Sequence, residues 1–296
     1  MENKASNILK CILPSVMIFA LQMFLSGTGA FVMFCKQAHD YTSGGLSGFF
    51  QQYYDAVMST DFNVGVMLMY AIVAGGLFIA WYYYDGKPVV REKRGLAVLT
   101  DKPLAFFAGL VLLAVGMQYL CTFCMNLLSL WFPDWLVEYE TLMEGMGLND
   151  TVTLPLVLYA VILGPVCEEY AFRGLTMRYA RRVMPFWTAN VVQALLFAGM
   201  HMNPLQATYT FVLGLVLGYL VERSGSIAMG VWLHIAFNAA GVFSGGISVG
   251  ANGPIFVFLL LFGSMAATYI GFVLINKNIP ARVNDQAKSS DNHFTA

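Results

Sequence analysis

Long apolar runs recur along almost the whole chain and limit what it can fold into. The segments suited to cross a bilayer are 11–35, 62–84, 103–131, 153–172, 186–201, 205–221, 226–243 and 254–275. Most of them approach the ~20 residues that a helix needs to span the hydrocarbon core. Lipid offers no hydrogen bonds to an exposed backbone, so such runs form helices. The sequence therefore predicts an all-α polytopic membrane protein with about eight transmembrane helices.

The basic residues lie in alternate loops, and this asymmetry orients the predicted helices. With eight spans, every Lys and Arg except Lys36 falls on the same side as the two termini. The opposite loops carry acidic residues, namely Asp40, Asp55, Asp61, Asp134, Glu138, Glu140, Glu144 and Asp150. By the positive-inside rule, both termini are cytoplasmic. We expect a multi-pass integral protein of a bacterial plasma membrane, with the lipid bilayer as a partner and no nucleic-acid partner.

Two adjacent carboxylates, Glu168 and Glu169, interrupt the fourth apolar run, and Arg173 follows them. Charges at membrane depth cost roughly 2.5–3.5 kcal/mol each on insertion scales, so they usually mark a functional site. Three more polar side chains lie inside later runs: His201, His234 and Asn238. Counted at 1.5 Å per helical residue, these groups reach similar depths. We expect them to meet in one cavity, open towards the cytoplasm.

Spacing along the helices suggests a role for each of these residues. Glu169 and Arg173 are four positions apart with the acid first, which favours an ion pair and a supporting role. Glu168 points about 100° away and suits a general base. His234 and Asn238 are also four apart, so both can donate hydrogen bonds to a developing oxyanion.

His201 is left to share a water molecule with Glu168. Taken singly, an intramembrane histidine more often makes a structural hydrogen bond between helices. A zinc site of Glu168, His201 and His234 is an alternative, since two histidines and a carboxylate can bind zinc and leave a water position open. The chain has no H-E-x-x-H motif. We favour a reaction without a metal or another cofactor.

Arginines continue beyond the carboxylate pair, at positions 173, 178, 181 and 182. A basic amphipathic stretch at the end of a transmembrane helix can contact anionic lipid headgroups. We therefore expect this segment to lie along the inner leaflet.

Three motifs occur in order on successive runs: E-E-x-x-x-R at 168–173, F-x-x-x-H at 197–201 and H-x-x-x-N at 234–238. Together they resemble those of the CPBP family, the CAAX prenyl proteases and bacteriocin-processing enzymes, also called Abi. The resemblance implies an intramembrane endopeptidase that acts on a membrane-associated peptide or protein. It implies that Glu168 and His201 activate water, and that His234 and Asn238 form the oxyanion hole. Family members are described both as glutamate-type proteases and as metalloproteases, and we favour the former.

The resemblance also divides the chain. Residues 1–150 would hold the N-terminal transmembrane helices and an acidic external loop. A CPBP-like catalytic core would follow at 151–245, then the last transmembrane helix at 246–276 and a polar tail at 277–296. Within the first part, 133–150 suits either an interfacial helix or a solvated connector.

Two other functions are compatible with parts of this pattern. A non-catalytic bacteriocin self-immunity protein or membrane scaffold of the same family is the main alternative, although such a protein would have no need of Glu168. An ion or metal transporter ranks last, because transporters show repeat symmetry and here the intramembrane polar residues all lie in the C-terminal half.

Overall fold

The computed structural model of the chain describes residues 3–41, 45–85, 102–148, 152–243 and 253–279, and all regular structure within them is helical. In chain order the helices are α1 (Lys4–Asp40), α2 (Gly45–Met58), α3 (Thr60–Tyr84), α4 (Pro103–Ser129), α5 (Pro133–Gly145), α6 (Leu154–Arg181), α7 (Phe186–Gly199), α8 (Pro204–Ser224), α9 (Ile227–Phe243) and α10 (Gly253–Asn278).

The predicted fold class is confirmed. Within the described ranges, six helices are long and apolar enough to cross a membrane: α1, α3, α4, α6, α8 and α10. The shorter apolar helices α7 and α9 account for the other two predicted spans. Of the polar tail expected at 277–296, the part from residue 280 onward lies outside the described residues.

Local sequence signals fix where several helices begin and end. The Ser59 side chain accepts a hydrogen bond from the N–H of Phe62 at the start of α3, and Thr153 does the same for Leu156 in α6. Such N-caps satisfy backbone donors that the first helical turn leaves without partners. At the other end of α8, Gly225 adopts a left-handed conformation with φ of 67°, which glycine accepts without steric cost. The turns between helices are therefore short and well defined.

The bundle has two groups of buried apolar side chains. One joins α1, α3 and α6 and includes Ile18, Phe78 and Phe172. The other joins α4, α8, α9 and α10 and includes Leu113 and Leu217. Glu169 of α6 links the two groups, because it contacts His234 on α9.

Helices α4 and α10 approach each other closely through glycine. A Cβ atom on Gly116 would lie 2.6 Å from the backbone nitrogen of Thr268, and one on Gly271 would strike Leu113. Small residues let transmembrane backbones approach closely, which increases van der Waals contact between helices. This contact joins the last helix to the rest of the bundle.

The loops predicted on the acidic side contain two further helices. Helix α2 lies in a stretch for which the sequence predicted no helix. Helix α5 shows that 133–145 is helical, the more ordered of the two interpretations left open, and it contacts α4 and α8. All thirteen residues of α5 are at least partly exposed.

The arginines at the end of α6 contact other parts of the protein. The guanidinium of Arg178 is buried, lies 3.7 Å from the ring centre of Tyr82 and donates to the Tyr82 carbonyl at 2.9 Å. Arg181 pairs with Glu222 at 3.3 Å and Arg182 with Asp85 at 2.6 Å. These cations bind groups of the protein, so the expectation that they lie along the membrane against lipid headgroups was wrong.

Candidate active site

Helix α6 changes its winding around the two carboxylates. Residues 158–163 and 170–176 form π-helical turns on either side of the α-helical segment Gly164–Glu169. Pro165 has no N–H to donate to the preceding turn, and the N–H of Gly164 bonds to Tyr159 O, five residues back. Single π-turns inside α-helices occur often at functional sites. Helix α6 is thus wider just before Gly164 and Pro165 but is not broken there.

This wider turn explains the position of Asn238. In the π pattern the carbonyl of Ala160 would accept from residue 165, which is a proline and has no N–H. The Nδ2 of Asn238 donates to that carbonyl instead, at 2.8 Å. Asn238 therefore joins α9 to α6 and satisfies a backbone oxygen that the sequence of α6 leaves without a donor. One of its two N–H groups is committed to this contact.

Glu169 is fully buried and has two partners. Its Oε1 lies 2.7 Å from Arg173 Nη1 and 2.9 Å from His234 Nδ1. An ionised carboxylate can only accept, so Nδ1 of His234 is the donor. The predicted ion pair between Glu169 and Arg173 is present, but its link to His234 was not foreseen. Glu169 thereby fixes the orientation of the His234 ring.

Glu168 faces the other nitrogen of the same ring. Its Oε2 lies 3.5 Å from His234 Nε2, and its side chain keeps 14% of its surface exposed. His234 therefore lies between two carboxylates, one sealed in the protein and one that lines a cavity. The predicted role of His234 in an oxyanion hole stays a prediction, and its ring contacts both carboxylates, Glu168 through Nε2 and Glu169 through Nδ1.

His201 lies in the turn between α7 and α8. Its Nδ1 is 2.9 Å from the carbonyl of Phe197, and a carbonyl only accepts, so Nδ1 carries the proton. In the neutral ring Nε2 is then an acceptor. This leaves a basic nitrogen that can orient a water molecule.

Phe197 is a residue whose importance the sequence argument missed, although it begins the second motif. Its ring packs edge to face against His201 and His234, with ring centres 5.1 and 5.6 Å apart. The guanidinium of Arg173 lies over the same ring at 4.4 Å. A single buried aromatic ring thus separates the two histidines and supports the cation of the ion pair.

A cavity of about 680 Å³ unites the predicted residues. Glu168, His201, His234 and Asn238 all line it. Much of the remaining wall is apolar and rich in methionine, including Met67, Leu142, Met143, Met146, Met200 and Met202. Methionine side chains adapt to irregular ligands, and the size suits a peptide segment of a few residues.

Helix α5 and the residues after it form one side of this cavity. Burial raises the pKa of the Tyr139 phenol on α5, and its hydrogen bond with Tyr209 of α8 partly opposes the rise. The cavity therefore extends towards the end of the bundle that carries α5. The predicted opening towards the arginine-rich side was wrong in this respect.

The alternative zinc site would use side chains of Glu168, His201 and His234 as ligands. Among the described residues, no group of three His, Cys, Asp or Glu side chains is arranged to hold a metal ion. Glu168, His201 and His234 share the cavity without forming such a group.

Comparison with known proteins places the central segment. Residues 150–240 match the family model described as type II CAAX prenyl endopeptidase Rce1-like. The chain is also similar to an Escherichia coli protein described as an uncharacterized 24.3 kDa protein, with 25% identity over 191 residues. That alignment covers 62% of this chain and 80% of the relative. No solved structure matches the chain significantly.

Proposed function

We propose that this chain, which through residues 150–240 belongs to the family of CAAX prenyl proteases and bacteriocin-processing enzymes, is an intramembrane endopeptidase. It hydrolyses a peptide bond of a membrane-associated peptide or protein in a bacterial plasma membrane. The observation that carries the proposal is the placement of Glu168 on the cavity wall, with His201 and His234 beside the same space. Its neighbour Glu169 is sealed against Arg173, so Glu168 is the carboxylate that water and substrate can reach.

In this mechanism Glu168 and His201 activate one water molecule. Nε2 of His201 accepts a hydrogen bond from the water, and Glu168 takes a proton as the water oxygen attacks the carbonyl carbon of the scissile bond. The same proton then passes to the amide nitrogen as the C–N bond breaks, giving a carboxyl group and an amine. General acid–base catalysis of this kind contributes roughly 10²–10⁴-fold to the rate.

Residues of α9 stabilise the tetrahedral intermediate. When His234 carries both protons, Nε2 donates to the developing oxyanion while Nδ1 remains bound to Glu169. The second N–H of Asn238 is the other donor, since its first is held by Ala160. Donors fixed before the reaction stabilise the oxyanion without further rearrangement. No step of this mechanism passes through a metal.

A cleavage assay tests the proposal. The full chain is reconstituted in proteoliposomes with a panel of membrane-anchored reporter peptides, and products are identified by mass spectrometry. We expect cleavage by the wild type and its loss in Glu168→Ala and His201→Ala, with Glu138→Ala, an exposed carboxylate of α5, as the matched control. Undiminished cleavage in both cavity variants would refute the assignment and favour a non-catalytic immunity or scaffold protein.

The absence of a metal step is tested separately. Metal content of the purified protein is measured, and cleavage is followed before and after treatment with a chelator. We expect the rate to survive chelation. Loss of activity that zinc restores would instead support the set of Glu168, His201 and His234 as ligands.

A further inference from the structure

The two ends of the helical bundle differ in how tightly they are packed. At the end where α6 finishes, residues 171–180 are all buried. Tyr179 accepts a hydrogen bond from Trp81 at 2.9 Å. The ion pairs of Arg181 with Glu222 and of Arg182 with Asp85 close the surface outside this packed layer. Between Glu168 and the arginine-rich end, helix α6 is thus enclosed by protein over residues 171–180.

The opposite end holds the cavity. Many of the residues that line it come from the α5-side half of their helices, for example Met67 in α3, Gln118 in α4, Leu156 in α6, Gln206 in α8 and Val242 in α9. The α7–α8 turn lies at this end, and its residue Met202 lines the cavity while 78% of its surface is exposed. The cavity therefore reaches the surface near Met202 and α5.

The distribution of basic and acidic residues between the loops indicates which side of the membrane this end faces. Lysines and arginines lie almost entirely in the termini and in the loops at the arginine-rich end, whereas the segments around α2 and α5 hold eight of the 17 acidic residues and a single basic one, Lys36. The asymmetry of Lys and Arg between short loops sets the orientation of a polytopic protein, with the basic loops in the cytoplasm. The α5 end is accordingly the non-cytoplasmic one.

We propose that the cavity opens on the non-cytoplasmic face of the membrane, beside Met202 and α5. Its substrate is then a membrane-anchored peptide or protein whose scissile segment is presented from that face. The statement about the substrate rests on the proposed endopeptidase function, whereas the statement about the opening does not. A segment that enters here reaches Glu168 without crossing the packed layer at 171–180.

Thiol labelling in intact cells tests the opening. In a background with Cys35 and Cys124 replaced by Ser, single cysteines are introduced as Met202→Cys at the mouth, Glu138→Cys on α5 and Lys277→Cys at the other end. Cells are treated with a membrane-impermeant maleimide before or after permeabilisation. We expect at least tenfold more labelling of Met202→Cys and Glu138→Cys than of Lys277→Cys in intact cells, and labelling of Lys277→Cys after permeabilisation.

Each other pattern overturns a part of the proposal. Labelling of Lys277→Cys but not of the other two in intact cells places the α5 end in the cytoplasm. Labelling of none of the three in intact cells, with all three labelled after permeabilisation, shows that neither Met202 nor α5 is accessible from outside and overturns the proposed opening. Labelling of Glu138→Cys without Met202→Cys shows that the cavity does not open at this face.

A second experiment, which measures cleavage, tests from which side of the membrane the substrate is presented. One reporter carries its cleavable segment outside the cell and a matched reporter carries the same segment inside. We expect at least tenfold more cleavage of the external segment. Preferential cleavage of the internal segment overturns the proposed substrate. Cleavage of neither, with labelling as expected, removes the endopeptidase function but leaves the opening established.

Discussion

Arg178, Arg181 and Arg182 at one end of the bundle each contact a partner from a distant part of the chain. At the other end the acidic residues of α5 are exposed, and polar side chains line a cavity. Charges in the first region hold helices together, because a buried charge is costly unless it is paired. Charges and polar groups in the second region remain accessible to water and ligands.

The boundary between these regions falls between two adjacent residues. Glu169 is fully buried with Arg173 and His234, whereas Glu168 keeps part of its surface in the cavity. Successive residues of a helix point about 100° apart, so neighbours in sequence can serve the packed region and the open region separately. Substitution of Glu168 should therefore mainly lower activity, whereas substitution of Glu169 should mainly lower stability.

The largest effect on activity is expected for Glu168→Gln. The substitution keeps the shape of the side chain but removes the base, so cleavage of a reporter peptide should fall by about 10²-fold or more. Thermal unfolding in detergent should change little, since the side chain lines a cavity and is not part of the packed ion pair. Retention of activity within a few-fold of the wild type would contradict the role of Glu168.

The largest effect on stability is expected for Glu169→Gln. It leaves the buried guanidinium of Arg173 without its counter-charge, and breaking a buried pair costs about 3–5 kcal/mol. Activity should fall too, because a neutral amide oxygen is a weaker acceptor for Nδ1 of His234 than the carboxylate that orients it. The measurement is the free energy of unfolding in micelles, alongside the cleavage rate.

A double variant distinguishes the cost of an unpaired charge from general damage. Replacing the pair by Glu169→Gln and Arg173→Met removes both charges, and such replacements are often close to neutral in stability. We expect the double variant to be more stable than Glu169→Gln alone. Equal or greater destabilisation would mean that Glu169 is not held by this pair.

Local patterns in the sequence predicted much of this arrangement. The lengths of the apolar runs predicted the six helices that are long enough to cross a membrane and the two shorter apolar ones, and the four-residue spacing predicted the ion pair of Glu169 with Arg173. Both depend on the periodicity of one helix and need no knowledge of its neighbours. Similar depths also predicted that Glu168, His201, His234 and Asn238 would share a cavity.

Contacts that depend on how helices rotate against each other were not predictable. Nothing near His234 in sequence shows that its Nδ1 meets Glu169, and Arg178 binds a carbonyl 96 positions away. The side on which the cavity opens was missed for the same reason, since depth along a helix does not show which end is packed. Helix α2 escaped notice because no long apolar run marks it.

A smaller effect than that of Glu169→Gln is expected for Gly230→Ala. A Cβ at this position in α9 would collide with Oε2 of Glu169 and lie 2.8 Å from Val221. Added atoms in a packed interior typically cost about 1–3 kcal/mol. Unfolding in micelles measures the loss, and the cleavage rate shows whether the shift of Glu169 reaches His234.

The matched control is Gly76→Ala in α3. No described heavy atom lies within 4 Å of a Cβ built there, and alanine favours a helix over glycine by about 1 kcal/mol. This control should be neutral or slightly stabilising. If both substitutions had the same effect, close packing of α9 against Glu169 would not be the cause.

The smallest effect is expected for the ion pair that closes the arginine-rich surface. The side chains of Arg181 and Glu222 are 24% and 14% exposed and lie 3.3 Å apart, and pairs near the surface contribute about 1 kcal/mol or less. A double-mutant cycle of Arg181→Ala and Glu222→Ala, read as unfolding free energy, should give a coupling in that range that shrinks with added salt, because mobile ions screen exposed charges. A coupling as large as that of Glu169 with Arg173 would show that the two ends of α6 are sealed equally from water, and the contrast between them would fail.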